Sequence, residues 1–327
     1  MGELSDRRAQ TATRIGELQT RLASADGLVH GKACVYATGS FGRCDASRHS
    51  DLDLFILGKS DGKKGSSLSS LDAICVMADL IRTTRDLSIP EFSGDGRYLV
   101  HYSVHDLVDT LGEPEDDVTN TFTARLLLLL ESRALLEPMV YREVVTTVLD
   151  AYWRDYDDHK SDFMPAFLGN DILRLWRTFC VNYEARTERM PAVEKAKGKI
   201  KNYKLKHSRL LTCYSAILYL LAVYARENTV TREDALNMIQ LTPTERLEWL
   251  MDQPQLADAH ETLEKLLAQY ERFLETTNVR EEDLIQVFMK KRTSNSYMQA
   301  AYRFGDLIFE AMRRIGQASR FHRLLVV

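Results

Sequence analysis

Gly39-Ser40, ten further residues, and then Asp51-Leu52-Asp53 inside an apolar run are the residues of this chain best suited to chemistry. Along an extended segment side chains repeat direction every two residues, so Asp51 and Asp53 share a face. Two carboxylates that close repel each other and are costly to bury unpaired. A bound divalent cation removes that cost, and oxygen-only ligation suits Mg²⁺ or Mn²⁺. Two such ions stabilise both oxygens of an in-line phosphoryl displacement. The preceding TGSFGR supplies the phosphate side. Gly39 lets the backbone approach closely, successive amides after a tight turn form an anion-binding nest, and the Ser40 hydroxyl can donate to a phosphate oxygen. A lone D-x-D is ordinarily a solvated strand edge. Its distance from a Gly-Ser turn that closes a strand is what makes the set functional.

The elements around these residues must hold a turn and a strand together. KACVYATG reads as a strand ending at the turn, and SDLDLFIL as the next, with Asp51, Asp53 and Phe55 alternating against Leu52, Leu54 and Ile56. Residues 5–23 read as a helix with Ile15, Leu18 and Leu22 on one stripe. GKSDGKKGSSLSS reads as a surface loop. Leu71 to Leu87 follows as an amphipathic helix with Leu71, Ile74, Cys75, Ala78 and Ile81 on one side. SIPEFS and RYLVHYSV read as short strands. Beyond them the pattern is helical: 121–136, 141–155, 170–187, 208–226, 232–240, 243–252, 256–276 and 282–315. Thr242-Pro243-Thr244-Glu245 marks one start, with Thr as N-cap, Pro at the first helical position and Glu three after the cap. The fold class expected is α+β: an α/β head over residues 1–130 and an all-helical domain over 131–327.

Gly39-Ser40-x10-Asp51-x-Asp53 resembles the signature of the polymerase-β-like nucleotidyltransferase superfamily, in which G-S is followed by D-x-D or D-x-E on the next strand. The resemblance covers the head and implies a small mixed sheet with flanking helices, and a helical domain that closes a nucleotide cleft. It implies transfer of a nucleoside monophosphate from an NTP or dNTP to a hydroxyl, with two Mg²⁺ or Mn²⁺ ions held by Asp51, Asp53 and a third carboxylate. Glu91, in SIPEFS, is the choice for that third acid, and Asp95, in a turn-like SGDG, is its rival. Head-plus-helical-body architecture is similar to that of bacterial antiphage enzymes that make nucleotide signals or short oligonucleotides without a template. An effector protein would then read the product. Transfer to a protein or a tRNA end, or a catalytically silent nucleotide-binding partner, are the alternatives.

Charge narrows the partners. The formal net charge of −4 gives no overall attraction to nucleic acid. Residues 186–209, however, carry nine basic residues against two acidic ones, a local net charge of +7. Such a concentration attracts polyanions. Tyr203 among the lysines suits base stacking. In similar nucleotidyltransferases the helical domain supplies lysine and serine to the triphosphate, which puts Lys204, Lys206, Ser208 and Arg209 forward as nucleotide-binding residues. Arg174 and Arg177 are candidates for the same groove. Five scattered cysteines, none spaced C-x-x-C, argue against a disulfide framework or zinc and for a reducing cytoplasm. The polar start MGELSDRRAQ has no signal-peptide pattern. The longest apolar run, Leu210 to Ala225, falls short of the ~20 residues a membrane span needs and reads as a buried core helix.

Overall fold

The computed structural model describes residues 2–326 apart from 61, 63, 64, 93–95, 97, 98, 185–190, 317 and 318. It divides into two compact units, Met1–Arg154 and Asp155–Val327. In the first unit α1 (Glu3–Arg21) and α2 (Ala23–Val29) precede β1 (Ala33–Thr38), α3 (Gly39–Gly42), β2 (Asp53–Gly58) and α4 (Ser70–Asp86). β3 (His101–Ser103), α5 (Val104–Asp109), α6 (Glu115–Val118), α7 (Thr121–Leu130), β4 (Arg133–Leu136) and α8 (Pro138–Tyr152) complete it. The class is α+β, with a four-stranded mixed sheet in the order β3-β2-β1-β4. β1 is antiparallel to β2 and β4, and β3 is parallel to β2.

β1 is buried along its whole length, which its uncharged ACVYAT sequence permits. One sheet face presents Val35, Ala37, Leu54 and Ile56 to Leu18 and Leu22 of the first helices and to Val76 and Leu80 of α4. The other face is aromatic. Tyr36 stacks on Phe55 at 5.5 Å, and Tyr102 and Tyr141 flank the pair. Both faces are therefore covered, and Phe55 is as buried as its neighbours.

The first unit extends beyond the boundary at residue 130. Residues 133–136, expected in a helix, form β4, which pairs with β1, and α8 packs on β1 behind it. Leucine fits helix and strand alike, so the run 126–136 carried no period to separate them. Residues 88–92 of SIPEFS do not form a strand. Pro90 has no N–H for a ladder, and the Ile89 amide instead closes the end of α4 by donating to Thr84 O at 2.9 Å. α4 itself forms, capped by Ser69, which accepts from the Asp72 amide. Its buried face is Ala73, Val76, Leu80, Thr83 and Thr84 rather than the stripe expected. Leu71 and Ile74 are 76% and 60% exposed. The helix carries two apolar stripes, and the one that meets the sheet is the one bearing Val76 and Leu80.

The second unit is helical among the described residues: α9 (Ala166–Glu184), α10 (Ala192–Lys204), a π-helical turn at Leu205–Arg209, α11 (Leu210–Glu227), α12 (Arg232–Gln240), α13 (Pro243–Met251), α14 (Ala257–Thr276), α15 (Glu281–Met289), α16 (Lys291–Gly316) and α17 (Arg320–Val326). α11 is its central helix, packed against α9, α13 and α16. The continuous stretch Ala192–Glu227 is long and apolar enough to cross a membrane by composition, but 83% of its most apolar window is buried, as a core helix requires. Thr242 makes the expected capping box with Glu245, with Pro243 in the first turn. The helix expected over 282–315 breaks at Lys290, which is extended, into α15 and α16.

Candidate functional site

β1 and β2 run in register up to Thr38 opposite Asp53. At that point Gly39 turns the chain with φ +62°, the left-handed region that favours glycine. The turn sits against the carboxylate. A Cβ at Gly39 would lie 2.6 Å from Asp53 Oδ2. Asp51 and Asp53 are half-buried while Leu52 between them is buried in the core, so both carboxylates lie on the accessible side of the chain. Ser40 is half-buried, and its hydroxyl meets no partner among the described residues. Gly39, Ser40, Asp51 and Asp53 are thus gathered at one end of the sheet.

The ten-residue spacer is not a loose loop. Residues 41–47 are buried. One face of α1 holds them: Arg7 Nη1 donates to Asp45 O at 3.0 Å, Thr11 Oγ1 accepts from the Ala46 amide at 3.0 Å, and Arg14 Nη1 donates to Ser47 O at 2.6 Å. Arg7, Thr11 and Arg14 recur at helical spacing, so α1 uses its apolar stripe for the core and this polar stripe for the spacer.

Beneath the turn lies a buried charge cluster. Glu131 Oε1 accepts from the Gly39 amide at 3.2 Å, and Oε2 accepts from Arg43 Nη1 at 3.0 Å. Arg43 Nε in turn donates to Asp45 Oδ2 at 3.0 Å. The Glu131 side chain is fully buried, and Arg43 and Asp45 are nearly so. The Gly39 amide is therefore already bound, which leaves the Ser40 hydroxyl and the following amides as the donors an anion at this turn could meet. Glu131 had one local signal in the sequence. An acid directly after five leucines must be buried with a partner.

Glu91, the residue expected as a third carboxylate, is not gathered with the pair. Glu91 lies in an irregular segment after α4, its side chain 79% exposed, 3.4 Å from Arg85. It does not join Asp51 and Asp53: among the described residues no group of three His, Cys, Asp or Glu side chains is arranged to hold a metal ion. Asp95 lies outside the described residues. What remains is a pair of oxygen donors, Asp51 and Asp53, beside a glycine whose missing side chain leaves room at the Asp53 carboxylate. That donor set fits a hard divalent cation whose other ligands are water and phosphate oxygens.

No family model matches the chain, and no curated protein matches it.

Gly39→Ala tests the turn directly. An L-residue in the left-handed region costs about 1–2 kcal/mol, and the new methyl must push the Asp53 carboxylate aside. The expected result is a modestly less stable protein, measured by thermal unfolding.

The basic segment divides into parts with different fates. Arg186 and Arg189 lie outside the described residues. Tyr203 is 3% exposed and packs among Phe273, Phe288 and Tyr297, so it is unavailable for base stacking. Burial pushes its hydroxyl up to about 12. Ser208 is buried and donates to Lys204 O at 2.8 Å, which removes it from the nucleotide-binding set. Lys206 Nζ lies 4.0 Å from the Tyr302 ring centre, toward α16, whereas Arg209 lies over Phe179 of α9. Lys206 and Arg209 thus diverge, and Lys204 is exposed. Arg174 and Arg177 share a groove on α9 with Phe167, Asn170 and Asp171, and no described residue of the basic segment lines it.

His207, in the π turn, stacks on Phe273 at 4.7 Å. Its Nδ1 bonds to Tyr203 O at 2.9 Å, while Nε2 is buried with no partner among the described residues. Burial lowers its pKa to about 4. The unfolded chain takes up this proton near pH 6.5 and the folded chain only near pH 4, so stability falls as pH drops through that window, by about 3 kcal/mol in all. Urea unfolding at pH 7.5 and pH 5 should register most of the loss, and His207→Phe should flatten the difference.

Proposed function

We propose that this chain is a divalent-cation-dependent nucleotidyltransferase with a polymerase-β-like head. The observation that carries the reading is Gly39, held at positive φ against the Asp53 carboxylate with Asp51 on the same side and the Ser40 hydroxyl unpaired among the described residues. In the reaction an acceptor hydroxyl oxygen bonds to the α-phosphorus of an NTP or dNTP. The bond from that phosphorus to the bridging oxygen breaks, pyrophosphate leaves, and the hydroxyl proton passes to a carboxylate or to water. Asp51 and Asp53 would hold the cation, which when bound activates the hydroxyl and neutralises the phosphates. Ser40 would donate to a phosphate oxygen, and the buried spacer would keep turn and carboxylates in fixed relation.

The acceptor we favour is another nucleotide or a short oligonucleotide, in a template-independent synthesis that would suit antiphage signalling. The exposed Lys195, Lys201 and Lys204 of α10 support a polyanionic product. The test is to incubate the protein with each labelled NTP and dNTP and Mg²⁺ or Mn²⁺, then separate small products, oligomers and labelled protein. Label in small or oligomeric products supports this acceptor. Label on protein redirects the reading to protein modification. No turnover with any nucleotide overturns the enzyme.

A further inference from the structure

Gly39 is pinned from two sides. Asp53 lies against its Cα, and Glu131, 92 residues along the chain, accepts its amide proton at 3.2 Å. The junction between α7 and β4 touches the turn a second time, since a Cβ at Gly42 would fall 1.9 Å from Glu131 O. Both glycines of GSFG are thus fitted to the residue Glu131, one to its side chain and one to its carbonyl.

We infer that Glu131, braced by Arg43, is a positioning residue that sets the Gly39-Ser40 turn for phosphate; this rests on the nucleotidyltransferase reading. Three features carry it. First, Glu131 is anionic and buried beside a turn that must receive anions. An acid there is tolerable only if its charge is absorbed, and Arg43 Nη1 does so at 3.0 Å while its Nε is anchored on Asp45. Second, the arrangement spends both Glu131 oxygens, one on Gly39 and one on Arg43. The side chain is fully buried, so Glu131 acts on the turn and leaves cation binding to Asp51 and Asp53. Third, the bond goes to the one amide of the turn whose residue has positive φ. Holding that amide fixes the orientation of the peptide unit from Thr38 to Gly39, and with it the direction in which Ser40 and the following amides point. A preformed turn binds phosphate without the entropy cost of ordering it.

Hydrogen exchange at the Gly39 amide and nucleotide titration, read together on wild type, Glu131→Ala and Glu131→Gln, separate this role from simple stability. In wild type the Gly39 amide should be protected without ligand. Glu131→Ala should release it and weaken NTP–Mg²⁺ binding roughly tenfold to a hundredfold, the effect of losing a hydrogen bond to a charged group. Glu131→Gln keeps a carbonyl oxygen toward Gly39 and should restore both protection and most of the affinity, although its weaker pairing with Arg43 lowers the melting temperature. A Gly39 amide that exchanges freely in wild type overturns the inference. So does an alanine variant that loses protection but binds nucleotide normally, or a glutamine variant that loses affinity as fully as alanine while its Gly39 amide stays protected. If Glu131→Ala does not fold, wild type against Glu131→Gln still decides: a glutamine variant whose Gly39 amide stays protected but whose NTP–Mg²⁺ affinity falls roughly tenfold or more overturns the inference. Failure of wild type to bind any NTP would sink the functional reading, and the exchange data would still report whether Glu131 holds the turn.

Discussion

In the proposed nucleotidyl transfer, Asp51→Asn and Asp53→Asn should each abolish turnover while leaving the protein folded. Both side chains are half-buried on the accessible side of the segment leading into β2, and neither fills the core, which Leu52 and Leu54 do. Replacing either oxygen by an amide nitrogen removes half of the anionic charge available to a cation. Cation stabilisation of the transition state is worth several kcal/mol, so the expected loss in turnover is roughly 10³-fold or more. Asp53 should be the more sensitive of the two, because its carboxylate is the one set against the Gly39 turn. Mg²⁺ should raise the melting temperature of wild type, by about 2.7 kcal/mol of stability at a hundredfold excess over its dissociation constant, and should leave both variants unmoved. Pyrophosphate release and calorimetric melting with and without Mg²⁺ check the two halves separately. Equal turnover in wild type and variants would remove the carboxylate pair from the mechanism.

What could be read from the sequence was what is encoded by near neighbours. Gly39-Ser40 and Asp51-x-Asp53 stand within fifteen residues, and the turn and the alternation that define them are local. The Thr242 cap is four residues long, and α11 declares itself as a core helix by composition. Most of the failures needed a partner from elsewhere. α4 has two apolar stripes, and only the sheet decides which is buried. β4 becomes a strand because β1 has a free edge. Tyr203 looked like a stacking residue among lysines until α14, α15 and α16 closed over it. Glu91 was chosen for a strand that Pro90 and the end of α4 prevent. Glu131 reaches Gly39 across 92 residues, a separation at which no pattern within a window reports contact.

The largest effect on stability is expected at Arg125. This arginine lies on α7 among leucines with no solvent exposure, and its partner Asp116 has none either. Its Nη1 donates to Asp116 Oδ1 and to Leu107 O, each at 2.9 Å, and its Nε donates to Tyr152 Oη at 3.0 Å. Asp116 also accepts from Thr121 Oγ1 at 2.9 Å. The ion pair thus joins α5, α6, α7 and α8. Arg125→Met leaves a carboxylate in the core with hydroxyl donors only, and breaking a buried pair from one side costs about 3–5 kcal/mol. Asp116→Asn should cost less, because the amide oxygen still accepts from the guanidinium. The double variant Arg125→Met/Asp116→Leu should recover part of the loss, since removing both charges spares the desolvation of an unpaired one. Urea unfolding of wild type, Arg125→Met, Asp116→Leu and the double variant closes a double-mutant cycle, and a coupling below ~0.5 kcal/mol would mean that the two charges are stabilised independently of each other. The pair also bears on the site. α7 runs from Thr121 to Leu130, and Glu131 follows at once, so the network that seats the helix also seats the residue that holds Gly39. Loosening α7 at Arg125 should therefore raise hydrogen exchange at Gly39 even under conditions where the protein remains folded.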